Sequence, residues 1–134
     1  MATTATEHPN AAAFREGYDA FNRGDMETLR RVIAPDVVWH NPGDNRFAGD
    51  RRGIDATLGF FGELAQATGG TIHLDVHDIL ANDEHAVAIV TQYLVQGSTK
   101  YETRASHVVH IRDGQITESW FFAEDPYTFD RLFA

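Results

Sequence analysis

Apolar and polar positions follow two different rhythms along this chain, and the change falls near residue 70. Before it, apolar residues recur at helical spacing. Phe14, Tyr18 and Phe21 lie at i, i+4 and i+7 and predict a first helix. Gly24 closes that helix, because glycine accepts the left-handed backbone of a C-terminal cap. Asp25 suits the N-cap of a second helix carrying Leu29, Val32 and Ile33 on one face. Pro35 ends it at about Ala34, since the residue before a proline is pushed out of helical backbone. Val37 to His40 then reads as a short strand stopped by Asn41-Pro42-Gly43, and the polar segment 44–52 reads as a loop. Ile54, Leu58, Phe61 and Ala65 mark a third helix that ends at Gly69-Gly70. Gly59 and Gly62 inside it cost about 1 kcal/mol each relative to alanine, which predicts close backbone packing there.

From Thr71 the rhythm changes to period two, in four runs at about 71–81, 85–96, 99–112 and 115–124. The separators Asn82-Asp83-Glu84, Gln96-Gly97-Ser98 and Arg112-Asp113-Gly114 are turn chemistry at hairpin spacing, so a long antiparallel meander follows. Tyr127, Phe129, Leu132 and Phe133 form a final tail too apolar for water, which must dock on the domain or on a partner subunit. Helices first and hairpins after them predict an α+β domain in which a curved sheet wraps around three N-terminal helices.

Length and composition narrow the class. A chain of 134 residues is in the range of a single domain, expected over 1–134 with a flexible stretch over about 1–10. No apolar run approaches the ~20 residues of a membrane span. The first residues lack the basic start and apolar core of a secretory signal, which points to the cytoplasm. The absence of cysteine excludes disulfides, thiolate metal sites and cysteine nucleophiles. A net charge of −9 repels a phosphate backbone and gives no attraction to anionic lipid, so neither nucleic acid nor membrane is an expected partner. Ten of the 11 basic residues are arginine, a composition that points to a GC-rich bacterial source. No phosphate-binding glycine loop and no GxSxG elbow is present, which removes nucleotide-dependent and serine-hydrolase readings.

The order of elements, the Phe21-Asn22-Arg23-Gly24-Asp25 corner, the strand end Trp39-His40-Asn41-Pro42-Gly43 and the hairpin Arg112-Asp113-Gly114-Gln115-Ile116 before Glu118-Ser119-Trp120 carry a family resemblance. From about Ala12 to Phe133 the chain resembles the SnoaL-like branch of the nuclear transport factor 2 superfamily. The resemblance implies a cone-shaped, cystatin-like α+β barrel of mixed or antiparallel strands, with a cavity between the concave sheet face and the helices. It also implies homodimers paired through the convex face. Proteins of this fold include isomerases, polyketide cyclases, epoxide hydrolases, dehydratases and non-enzymatic binding modules, so fold alone does not set activity.

In the 99–112 run, His107 shares a face with Val109 and Ile111, while Ser106, Val108 and His110 take the other. The similar ketosteroid isomerases place an acidic oxyanion donor where His107 aligns, which puts His107 inside as an expected acid/base. The alternative is a core histidine satisfied by a neighbouring hydroxyl or carbonyl. Asn41 stands where those isomerases have a carboxylate base before proline. An amide takes no proton, though it donates to an oxyanion, or it caps a turn. The isomerases' phenolic donor on the first helix aligns nearest Gly17, with Tyr18 one place away. Phe121 stands where many relatives carry an acidic residue after the tryptophan, and Asp125-Pro126 reads as a turn at the strand exit.

Alternation places Trp39, Tyr101, Ser119 and Phe121 inward, and likewise Tyr93 with Ile89 and Thr91; with Tyr18 these make an expected substrate-binding surface. No metal is expected: His73 and His77 on one strand face are about 13 Å apart at ~3.3 Å per residue, too far to share a zinc, and His40 faces away from Trp39 and Asn41.

Three readings follow. The first is a cofactor-free enzyme that moves a proton beside the carbonyl of a small hydrophobic molecule, as in isomerisation or cyclisation. The second is a protein that binds such a molecule unchanged. The third is a dimerisation module whose vestigial cavity is plugged by Trp39, Phe121 and Tyr93.

Overall fold

The Gly24-Asp25 corner organises the helical layer of the computed structural model, which describes residues 7–134. Helix α1 (Pro9–Arg23) starts with proline in its first turn, where the missing N–H is not needed, and the His8 ring accepts from the Asn10 amide. Gly24 ends it with φ of 71°. Asp25 then caps α2 (Met26–Val32), accepting from the Thr28 N–H at 3.0 Å and the Thr28 hydroxyl at 2.7 Å. Those hydrogen bonds hold the Asp25 carboxyl down to about 2. The flexible start expected over 1–10 is corrected at its end. Pro9 and Asn10 are helical, and the buried Asn10 amide donates to the Asn82 carbonyl; residues 1–6 lie outside the described residues.

α2 stops at Val32 and runs directly into β1 (Ile33–Asn41). Ile33 is therefore the first strand residue rather than a helical one, and Pro35 falls within the irregularity between Ile33 and Val38 against β6 (Gln115–Ala123), where a missing donor is tolerated. The expected loop 44–52 contains an edge strand, β2 (Gly49–Arg52), antiparallel to β1. Its Gly-Asp-Arg-Arg sequence is largely exposed, so it carries no apolar alternation that would reveal a strand. Helix α3 (Ile54–Ala67) turns Leu58, Phe61 and Leu64 inward. Gly59 and Gly62 face open space: a methyl group added at either position would have nothing within 4 Å, so close packing does not explain them.

The meander follows as β3 (His73–Ala81), β4 (His85–Gln96), β5 (Thr99–Arg112) and β6. Gly97-Ser98 and Asp113-Gly114 are two-residue turns, the latter with φ of 52° and 75°, the positive pair that suits the twist of a hairpin. The six strands form one open mixed sheet in the order β2-β1-β6-β5-β4-β3, with β1 and β6 parallel and the other pairs antiparallel. The apolar tail forms a fourth helix, α4 (Pro126–Leu132), beyond the three expected. Phe129, Leu132 and Phe133 dock it on its own domain, with Phe133 1% exposed and packed on Phe47, but Tyr127 stays in water at 72% exposed, against the expectation for that residue. Helices α1 and α3, the 42–48 segment and α4 thus close over the concave sheet face and leave a cavity there.

Candidate functional site

The concave face of β5 is set by strict alternation, with Tyr101, Thr103, Ala105, His107, Val109 and Ile111 all buried. His107 does face inward. Its Nδ1 lies 2.6 Å from the Tyr18 hydroxyl and its Nε2 lies 2.6 Å from Ser119 Oγ. The rings of Phe14, Trp39, Tyr18 and Phe121 surround it at 5.0–5.7 Å between centroids. Burial disfavours the charged imidazole and pushes its pKa down to about 3, and burial pushes the Tyr18 phenol far up. Both groups are neutral at physiological pH. A neutral imidazole has one donor and one acceptor nitrogen, so one hydroxyl donates to the ring while the other accepts from it.

Tyr18 is the phenol that the first helix supplies. Gly17 turns toward α2, where a methyl group would lie 3.5 Å from Val32 Cγ2, and the next residue is thereby aimed at the sheet. Ser119 and Phe121 share the inward face of β6, and Trp39, paired in register with Ser119, is inward on β1. Tyr18, Trp39, His107 and Ser119 therefore form one buried layer.

Above that layer lies an apolar cavity of about 120 Å³. Phe21, Phe61 and Phe121 line it; the Phe121 ring also packs on His107 and the Phe61 ring on Trp39, whereas His107, Tyr18, Trp39 and Ser119 are not themselves lining residues. Asn41 and Tyr101 do line it. Asn41 uses one of its two amide N–H groups on the Phe47 carbonyl at 3.1 Å, which holds the segment after β1. The Tyr101 hydroxyl donates to the Asp125 carbonyl. Asp125 itself caps α4, accepting from the Thr128 N–H at 3.1 Å; the Thr128 side chain first and its backbone N–H second lower the Asp125 pKa, so its carboxylate serves the turn. At the rim, the Asp130 carboxylate accepts from the Asp44 N–H at 3.0 Å and from Asn45 Nδ2 at 2.8 Å.

Tyr93 requires correction. β4 pairs with β5 so that Ala88 sits opposite His107, which places Ala86, Ala88, Val90, Gln92 and Leu94 inside. Tyr93, with Ile89 and Thr91, lies on the convex face and cannot touch the cavity. The inward polar residue is Gln92, 6% exposed and lining the cavity, with no hydrogen bond to its amide among the described residues. Both faces of β4 carry apolar residues, so periodicity leaves its phase open. The signal was the two-residue Gly97-Ser98 turn: counting back from it pairs His107 with Ala88 and hence turns Gln92 inward.

On the convex face His40 bridges two carboxylates, with Nδ1 2.6 Å from Asp50 and Nε2 2.7 Å from Glu118, and stacks on Trp120. Glu118 first and Asp50 second raise its pKa. Among the described residues no cluster of three or more His, Asp or Glu side chains is placed to hold a metal ion, and no helix is long and apolar enough to cross a membrane.

An open mixed sheet cupped around helices and an apolar cavity defines the cystatin-like, nuclear transport factor 2-like class of folds. A family model for the SnoaL-like domain matches residues 14–119, and the chain belongs to that family. It is 29% identical over 130 residues to an uncharacterized protein of Mycobacterium tuberculosis, across 96% of this chain and 99% of that one. Among solved structures, Bal32a, from a soil-derived mobile gene cassette, matches with a TM-score of 0.90 at 30% identity, covering 94% of this chain and 97% of its own. IdmH of Streptomyces antibioticus, a proposed polyketide cyclase, matches with a TM-score of 0.74 at 23% identity over 87% of this chain and 93% of its own, a likeness of fold.

Proposed function

We propose that this protein takes a small hydrophobic molecule bearing a carbonyl group into its cavity and acts on it without a cofactor, by proton transfer of the isomerase or cyclase kind. The observation that supports it is the hydroxyl–imidazole–hydroxyl chain of Tyr18, His107 and Ser119, buried against Phe121, a ring that lines the apolar cavity. Because burial keeps His107 neutral and both its nitrogens are bonded to hydroxyls, its role is to pass a proton between Tyr18 and Ser119, one of whose hydroxyls polarises the carbonyl. For a carbonyl to reach the chain, the Phe121 ring that packs on His107 must move aside. Asn41, which lines the cavity, supplies its second amide N–H to the substrate oxygen. The IdmH likeness agrees with a cyclase-type substrate.

The test is hydrogen exchange at the carbon beside the carbonyl of cyclohexanone in deuterated water, followed by NMR. The protein is expected to accelerate exchange, and His107→Gln is expected to lose at least tenfold of that acceleration while still binding the ketone. Unaltered exchange in His107→Gln would remove His107 from the mechanism.

A second reading, binding without turnover, draws on a specific observation: both His107 nitrogens are already bonded, and His107 does not line the cavity, whose Phe121 ring packs on it. Binding of cyclohexanone with no exchange in the wild-type protein would select it. The third reading, a plugged cavity, loses its support, because the cavity is open and Tyr93 is outside. A homodimer through the convex sheet face completes the proposal.

A further inference from the structure

We propose that Gln92 is the polar anchor of the cavity, and that the molecule it holds is neutral, about one ring in size, and carries one carbonyl or hydroxyl group. This rests on the cavity being a small-molecule site, and it goes further by naming the anchor and the ligand class.

Gln92 sits between Leu74 and Thr103 across the sheet. Thr103 is already committed, its hydroxyl accepting from the Asp125 N–H and donating to the Arg104 carbonyl. Gln92 has no such partner among the described residues, although it is more than nine-tenths buried and lines the cavity. No buried side-chain nitrogen or oxygen among the described residues lacks a partner, so the Gln92 amide, which has none, is accessible from the cavity it lines and is free to bond whatever occupies that space. An amide offers a donor and an acceptor side by side, and so it can serve a carbonyl oxygen or a hydroxyl group.

Size is limited by volume. The cavity holds about 120 Å³, somewhat less than the ~150 Å³ apolar cavity that accommodates benzene. A single ring or a short branched chain fits; fused polycyclic molecules do not fit without opening the α4 side. Phe60, Phe61, Phe121 and Phe129 face the space from different elements and offer ring contacts on several sides.

Charge is limited by what is missing from the wall. No lysine, arginine or histidine is among the lining residues, and the ionised group at the rim is the Asp130 carboxylate, in a chain of net charge −9. An anion entering this space would lose its water, meet a like charge and find no cation.

The experiment is a calorimetric or NMR titration of wild type, Gln92→Leu and Gln92→Met with cyclohexanone, methylcyclohexane and benzoate. Wild type is expected to prefer cyclohexanone over methylcyclohexane by at least tenfold more than either variant does, and to leave benzoate unbound. The ligand-free melting temperature should not fall in at least one of the two variants, since each removes an unpaired amide from an apolar site, and this checks that the variants fold. If both cyclic probes bind all three proteins with the same ratio, the cavity stands and Gln92 is not the anchor. If neither probe binds wild type, the small-molecule reading of the cavity falls and the proposal falls with it. Preferential binding of benzoate would overturn the neutral-ligand class.

Discussion

At the scale of single residues, His107 and His40 titrate in opposite senses. Folded His107 stays neutral down to about pH 3, whereas in the unfolded chain its ring takes up a proton near 6.5. Between those values the unfolded state binds more protons. The His107 contribution is therefore complete above about pH 6.5 and is lost as pH falls toward 3, at a slope of up to about 1.4 kcal/mol per pH unit. His40 has the reverse sign: its pKa is raised by Glu118 and Asp50, so its contribution is present below 6.5 and fades as pH rises through the raised value. Urea midpoints measured from pH 4 to 8 should fall less steeply on the acid side in His107→Gln than in wild type. Equal slopes below pH 6.5 would mean that His107 is not buried and neutral. Tyr18→Phe leaves a buried ring nitrogen without its partner and should cost about 1–3 kcal/mol in the same assay, with the far-ultraviolet dichroism unchanged.

Elements were legible where their own sequence carried a rhythm or a stop. The bounds 85–96 and 99–112 agree with the sequence because the turns between strands carry clear stops, and the inward face of 99–112 agrees with its alternation. β2 was not legible, since an exposed edge of four polar residues looks like a loop, and the phase of β4 was not, since either face of that strand is apolar enough to be inside. The layer of Tyr18, Trp39, His107 and Ser119 was readable from inward alternation and a helix face; that it does not line the cavity depends on rotamers and packing that no spacing encodes. In α3 the two glycines face open space at negative φ, so replacing them removes only backbone freedom. Gly59→Ala and Gly62→Ala should each stabilise the protein by about 0.5–1 kcal/mol, read as a rise in the urea midpoint at constant slope. A fall in the midpoint of either variant would mean that its α3 position is covered in solution.

At the scale of the whole molecule, the sheet has one face buried under helices and another with no cover in a single chain. Across the second face, registered neighbours on successive strands form the row His40, Trp120, Val108, Val87 and Leu80, and beside it lies the row Phe122, Ser106 and Ile89. Phe122 is 59% exposed and Leu80 is 55% exposed. The two rows run side by side across the sheet, with the charged Glu118 and Arg104 next to them on the same strands and Asp50 paired with His40, the layout of an apolar interface core with a polar edge. A second copy applied by two-fold symmetry meets the same surface, so each apolar row finds its own counterpart, and a stable pair needs roughly 1,000 Å² or more of total burial. Analytical ultracentrifugation at micromolar concentration should therefore give twice the chain mass of 15.0 kDa. Phe122→Glu places a buried charge against its symmetry-related copy and should yield a monomer with unchanged secondary structure. A wild-type monomer would leave the row without a partner of its own kind. A dimer that survives Phe122→Glu would move the interface off this face. Because Phe122 points away from the cavity, the same variant should bind cyclohexanone as wild type does if each chain holds a complete site, and lose binding if pairing is needed to keep β6 and its inward Phe121 in place.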